Sequence, residues 1–186
     1  RVIEERIRKI LAEYIYSIDE TNMPTTVVNM LLEKKLFVST AESCTGGLLS
    51  TSIIEVSGAS NYFNAGLITY SNKAKNKILG VDVKTIKRFG AVSNETSLAM
   101  AKGLYKLTSS NLIVSITGVA GPFGGNIINP IGTVYFTFGI KEIDKKIKYI
   151  TECKRFGKKS RLTIQKRSVS FALGSFIDII NEYRFD

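Results

Sequence analysis

Apolar positions along the chain alternate between two rhythms, one of helical period and one of short extended runs. Ile3, Ile7, Ile10, Leu11 and Tyr14 recur at three- and four-residue spacing, which predicts an amphipathic helix over residues 2–15. The rhythm breaks from Ser17 to Pro24. Pro24 suits a first helical turn, and Val27, Val28, Leu31 and Leu32 form the stripe of a second helix. Leu36 to Ala41 reads as a short strand ending in Glu42-Ser43-Cys44-Thr45-Gly46-Gly47, after which Leu48, Leu49, Ile53 and Ile54 resume helical spacing. Gly66 to Tyr70 is a second strand, stopped by Ser71-Asn72, with a lysine-rich helix following to about Leu79. Ser93 is placed to cap a helix running through Leu107. Leu112 to Thr117 reads as a buried strand that delivers the chain into Gly118-Val119-Ala120-Gly121-Pro122-Phe123-Gly124-Gly125. Ile131 to Ile140 is a long strand, and Ile147 to Phe156 one with alternating lysines, as at a sheet edge. The last helix runs from near Ser160 to about Tyr183, with Leu162, Val169, Leu173, Phe176 and Ile180 inward. Strands and helices alternate through the middle and pair late. That order predicts an α/β fold, a three-layer α/β/α sandwich around a mixed, mostly parallel sheet.

Composition narrows the function classes. No apolar run approaches the ~20 residues of a membrane span, and the charged N-terminus has no apolar stretch behind it, so neither a membrane partner nor a signal peptide is expected. Cys44 and Cys153 are too few for a disulfide framework, which favours a cytoplasmic location. Histidine is absent, which removes every Ser-His-Asp or Cys-His triad and every His-ligated zinc site. No metal and no cofactor is called for. The 26 basic and 16 acidic residues give a net charge of +10, and residues 141–167 carry eleven Lys/Arg against three Asp/Glu. Such a stretch reads as solvated charge on a strand and a helix before it reads as a nucleic-acid surface.

Three predicted strand ends carry small or polar residues: Ser43 to Gly47, Tyr70 to Lys75, and Gly118 to Gly125. If the strands run parallel, their tips converge on one crevice. Ser43 then stands at a strand-to-helix junction whose N–H groups suit an oxyanion or a phosphate, although a serine there can equally be a helix cap. Without histidine a serine nucleophile needs another base, and a lysine of depressed pKa is the usual substitute. Lys75, in the first turn after Tyr70, is the candidate, though Lys73 and Lys77 are not separable from it by pattern. Known motifs fail: there is no Ser-x-x-Lys, Ala74 stands where Tyr-x-x-x-Lys requires lysine, and Gly118–Gly125 has neither GxGxxG spacing nor a Walker lysine.

Taken in order, the segments resemble the C-terminal domain of the CinA family, whose stand-alone members are nicotinamide-nucleotide amidases. Thr40-Ala41-Glu42-Ser43-Cys44-Thr45-Gly46-Gly47 matches the family's Ala-Glu-Ser-Cys-Thr-Gly-Gly signature, followed by Gly66 to Asn72 with Ala74-Lys75, Gly90 to Ser93, Ser115 to Pro122 and Pro130 to Tyr135. The resemblance covers about Met30 to Leu173. It implies a serine nucleophile at Ser43 with Tyr70 and Lys75 as acid–base partners, and hydrolysis of the carboxamide of nicotinamide mononucleotide to nicotinate mononucleotide and ammonia. Cys44, Thr45, Gly46, Gly47, Ser93, Gly118, Ala120, Gly121 and Arg161 are the expected substrate-binding residues. The N–H groups at the following helix start would hold the oxyanion, and Gly118 to Gly121 a nest for the phosphate. Where relatives carry Phe-x-Gly-Asp-Arg, this chain has Phe156-Gly157-Lys158-Lys159-Ser160-Arg161, one residue longer and without the aspartate. Residues 1–19 resemble the tail of a preceding linker subdomain, leaving 20–186 as the domain and implying an N-terminal nucleotide-hydrolysing domain in the intact protein. The expected partner is a small-molecule nucleotide, with no specific nucleic acid; a homo-oligomer stays open. The competing reading is a weakly active binding or regulatory module.

Overall fold

A computed structural model of the chain describes residues 22–144 and 146–185. The helix expected over 2–15 and the subdomain tail at 1–19 lie outside the described residues. Helix α1 (Met23–Glu33) begins where Asn22 accepts a hydrogen bond from the Thr25 N–H and Pro24 fills the first turn. Its buried face is Val27, Val28 and Leu31, while Leu32, expected inward, is exposed.

Five strands form one sheet in the order β2-β1-β3-β4-β5. These are β1 (Val38–Glu42), β2 (Phe63–Ile68), β3 (Leu112–Gly118), β4 (Thr133–Lys141) and β5 (Ile147–Arg155). β2, β1 and β3 are parallel to one another; β4 runs against both β3 and β5. The three-layer expectation holds. α1, α2 (Leu48–Ile54) and α6 (Arg161–Glu182) cover one face, with Val38, Leu112, Val114, Ile116, Phe136 and Phe138 in that core. α3 (Asn72–Leu79), α4 (Val83–Phe89) and α5 (Asn94–Thr108) cover the other, where Leu79, Ile86, Met100 and Leu104 meet Ala41 and Ile113. The alternation along β3, with Leu112, Val114 and Ile116 to one core and Ile113 to the other, follows from the two-residue period of a strand.

On α6 the inward stripe is Ile164, Val169, Leu173, Phe176 and Ile180, whereas Leu162, expected inward, is exposed. α4 was not expected; it is short, rich in charge and buries Ile86 alone. Among the described residues, no helix is long and apolar enough to cross a membrane.

Candidate active site

Because β2, β1 and β3 are parallel, their carboxyl ends open on the same edge of the sheet, where an α/β fold gathers its ligands. Ser43 follows β1 directly and is held toward β3 by its N–H, which donates to Ile116 O at 3.0 Å. Tyr70 lies two residues beyond β2, and Gly118 to Gly121 leave β3. Between them is a cleft of about 230 Å³, lined among others by Ser43, Tyr70, Lys75, Thr117, Gly121 and Arg161.

Helix α3 settles which lysine faces this cleft. Ser71 caps the helix by accepting from the Ala74 N–H, and Lys75 shares the inward face with Leu79, four residues on. Lys73 and Lys77 are exposed. Lys75 is 1% exposed, and its Nζ lies 2.9 Å from Ser43 Oγ, 2.8 Å from Thr69 O and 3.2 Å from Tyr70 O. Burial strips water from the ammonium and lowers its pKa from 10.5 to about 8. As a neutral amine it has two N–H groups for the two carbonyls and one lone pair for the Ser43 hydroxyl proton. The Ser43 hydroxyl and the Lys75 amine are thus in direct hydrogen-bond contact.

Tyr70 lines the same cleft, with its hydroxyl bonded to Arg161. Its side chain is 60% exposed, and its hydroxyl accepts from Arg161 Nη2 at 3.0 Å, while Arg161 Nη1 donates to Gly121 O at 2.9 Å. Only the main-chain carbonyl of Tyr70 meets Lys75. Tyr70 and Arg161 thus form one rim of the cleft. Cys44 lines the cleft too, but burial pushes its thiol up to about 12, so it stays protonated and weakly nucleophilic at neutral pH.

The remaining expected contacts divide. Gly118, Ala120 and Gly121 line the cleft, whereas Thr45, Gly46, Gly47 and Ser93 do not. Ser93 caps α5, accepting from the Thr96 N–H at 3.1 Å and donating to Gly90 O at 3.2 Å. The start of α2 is not free to hold an oxyanion. Its donors go to a residue that sequence reasoning overlooked, the buried Glu42: the N–H groups of Gly47, Leu49 and Ser50 donate to it at 3.0, 3.1 and 2.8 Å, and Ser50 Oγ at 2.6 Å. The available signal was an acid closing a buried strand just before a helix start, since a buried carboxyl must find donors. Gln165 was also missed; from α6 its Nε2 donates to Cys44 O at 2.8 Å and fixes the turn after the serine. Around the cleft, the N–H groups of Cys44, Ala120 and Gly121 donate to no other residue among the described residues.

Comparison with known proteins agrees with the fold. Residues 20–180 match the family model described as the CinA C-terminal domain. A competence-damage inducible protein of Thermoanaerobacter pseudethanolicus is 43% identical over 181 residues, which is 97% of this chain and 41% of that protein. A CinA-like protein of Kosmotoga olearia is 50% identical over 133 residues, 72% of this chain and 32% of that protein. The chain therefore spans well under half the length of these relatives. Among solved structures, the competence/damage inducible protein CihA from Agrobacterium tumefaciens superposes with a TM-score of 0.79 at 36% identity, covering 86% of this chain and 94% of that one. A CinA superfamily protein from Escherichia coli gives 0.78 at 29% identity, with 91% and 98% covered.

Proposed function

The chain belongs to the CinA C-terminal domain family, and from that premise we propose that it is an amidohydrolase converting nicotinamide mononucleotide to nicotinate mononucleotide and ammonia. The observation that carries this reading is the buried Lys75 amine 2.9 Å from Ser43 Oγ at the carboxyl edge of the parallel strands.

Neutral Lys75 takes the Ser43 proton as Oγ attacks the carboxamide carbon. The tetrahedral oxyanion is assigned to the N–H groups of Ala120 and Gly121, which donate to no other residue among the described residues, in place of the helix start that Glu42 occupies. The Lys75 ammonium returns its proton to the departing nitrogen, the C–N bond breaks, and ammonia leaves an ester on Ser43. Water then attacks the ester carbon, passing a proton to Lys75. The ester C–O bond breaks, Lys75 reprotonates Ser43, and nicotinate mononucleotide departs. Tyr70 and Arg161, bonded to each other at the rim of the cleft, are assigned to hold the substrate.

Ammonia release from nicotinamide mononucleotide by the purified protein tests the reading. Ser43→Ala should keep its melting temperature and lose turnover by several orders of magnitude, because no acyl-enzyme can form. Cys44→Ala should remain active. A folded wild type that releases no ammonia would favour a binding module, and a folded Ser43→Ala with near-normal turnover would remove Ser43 from its role.

A further inference from the structure

Beside the Ser43 cleft lies a larger cavity of about 670 Å³. Phe123 and Gly124 line both, so the two are neighbours across a two-residue wall. One side of the larger cavity is the loop between β3 and β4; the other is the segment that leaves β5 toward α6. These sides are pinned together. The Phe156 N–H donates to Gly132 O at 2.9 Å, and a Cβ on Gly132, whose φ is +93°, would stand 2.3 Å from Gly157 O. Only glycine allows that approach. It sets Arg155 and Lys158, on either side of this contact, into the cavity wall. Further along the loop, Asn129 Nδ2 donates to Val92 O at 2.8 Å and its Oδ1 accepts from Tyr135 OH at 3.1 Å.

The charges are one-sided. Among the described residues, no Asp or Glu lines either cavity, while Lys75 and Arg161 line the first and Arg155 and Lys158 the second. The acid nearest along β5, Glu152, is paired with Lys154 at 2.9 Å, and neither Arg155 nor Lys158 forms an ion pair among the described residues. Of the stretch expected to cradle phosphate, Gly118 to Gly121, the Val119 N–H is committed to Thr133 O at 2.8 Å, and the Ala120 and Gly121 N–H groups lie at the Ser43 cleft, where the proposed mechanism uses them for the oxyanion.

We propose that the second cavity is the phosphate subsite, in which Arg155 and Lys158 receive the dianionic end of a ribose 5-phosphate ligand whose base lies against Ser43. The assignment of that base to an amide rests on the amidase reading; the anion subsite is separable from it. An arginine and a lysine, neither committed to a carboxylate among the described residues, suit a phosphomonoester, and the shared lining at Phe123 and Gly124 puts this cavity next to the Ser43 cleft.

The test compares nicotinamide mononucleotide with nicotinamide riboside, which lacks the phosphate, and titrates ribose 5-phosphate by calorimetry. Arg155→Gln and Lys158→Gln should each lower the ratio of kcat/KM for the mononucleotide over the riboside roughly tenfold or more, and weaken ribose 5-phosphate by a similar factor. Lys159→Gln, outside the cavity, should change neither. Both altered side chains are exposed, so folding is not at stake. The proposal falls if wild type does not bind ribose 5-phosphate, if both variants keep the wild-type ratio and affinity, or if only Arg161→Gln weakens the phosphate. Wild type that binds ribose 5-phosphate through Arg155 and Lys158 but releases no ammonia would end the amidase reading and leave the subsite standing.

Discussion

Lys75 is the residue in which stability and chemistry oppose each other. Its folded pKa of about 8 lies below its ordinary 10.5, so between these values the unfolded chain binds the extra proton. Stability from this group therefore rises with pH from about 8 to 10.5, and below pH 8 the cost of the buried charge is present in full. That cost is on the order of 3 kcal/mol. Lys75→Met should abolish turnover yet melt at or above wild type at pH 7, even after losing its bonds to Ser43 and to the Thr69 and Tyr70 carbonyls. The advantage should shrink as pH rises past 8. Turnover by wild type should climb through the same apparent pKa and then level, while Lys73→Met and Lys77→Met leave it intact. A flat pH profile, or equal damage from all three substitutions, would argue against Lys75 as the base. The spacing of residues alone brought Ser43 and Lys75 together as candidates, but it could not rank three lysines two residues apart. The resemblance points to Lys75 among them, and the helix face, which the Ser71 cap and Leu79 define, is what turns it inward. Glu42 escaped because three of its four donors are main-chain N–H groups, which leave no trace in side-chain spacing.

At the scale of elements, the site depends on how closely α3 can lie on α5. Gly103 of α5 faces the end of α3, where a Cβ would stand 1.9 Å from the carbonyl oxygen of Leu79. That oxygen is main chain and cannot swing aside. Gly103→Ala must push α3 outward, and α3 carries Lys75 on the same face as Leu79. We expect a loss of about 3 kcal/mol, the upper part of the range for overpacking, together with a fall in kcat larger than any rise in KM. Thermal melts and steady-state kinetics check both; a variant that melts and turns over like wild type would show that α3 has room to move. Elements covered on both faces were legible from the chain, as with β3, whose alternating residues feed two cores. Elements covered on one face were less so. β2 was expected at Gly66 to Tyr70 and spans Phe63–Ile68, because an edge strand that alternates half-buried and exposed positions lacks a continuous apolar run. β4 starts at Thr133 rather than Ile131 because Gly132 turns the chain at positive φ. α4, with Ile86 as its one buried side chain, has no stripe to find.

At the scale of the molecule, the question is what a net charge of +10, most of it between residues 141 and 167, is for. Much of that charge has internal partners. Lys148 Nζ donates to Tyr183 OH at 3.0 Å and lies over its ring; Lys154 pairs with Glu152 and sits 4.4 Å from the Phe171 ring centre. Lys146 pairs with Asp144 at 3.1 Å, and Arg161 is held by Gly121 and Tyr70. The aromatic and aliphatic residues between these cations serve the two cores: Tyr149 and Ile147 pack toward α5, Ile150 and Phe156 toward α6. A single-strand reader needs aromatic faces open for bases to stack on, and these faces are spoken for. The cations left over, among them Lys159 and Lys166 with the proposed phosphate ligands, can still draw DNA or RNA by releasing counterions at low salt. Such attraction carries no sequence information and fades steeply toward physiological ionic strength. Labelled single- and double-stranded oligonucleotides titrated at low and near-physiological salt should therefore show weak binding in the first condition, indifferent to sequence, and little in the second. Binding that survives the higher salt, or that separates one sequence from another, would make the basic stretch an interface in its own right and set the binding-module reading above the amidase.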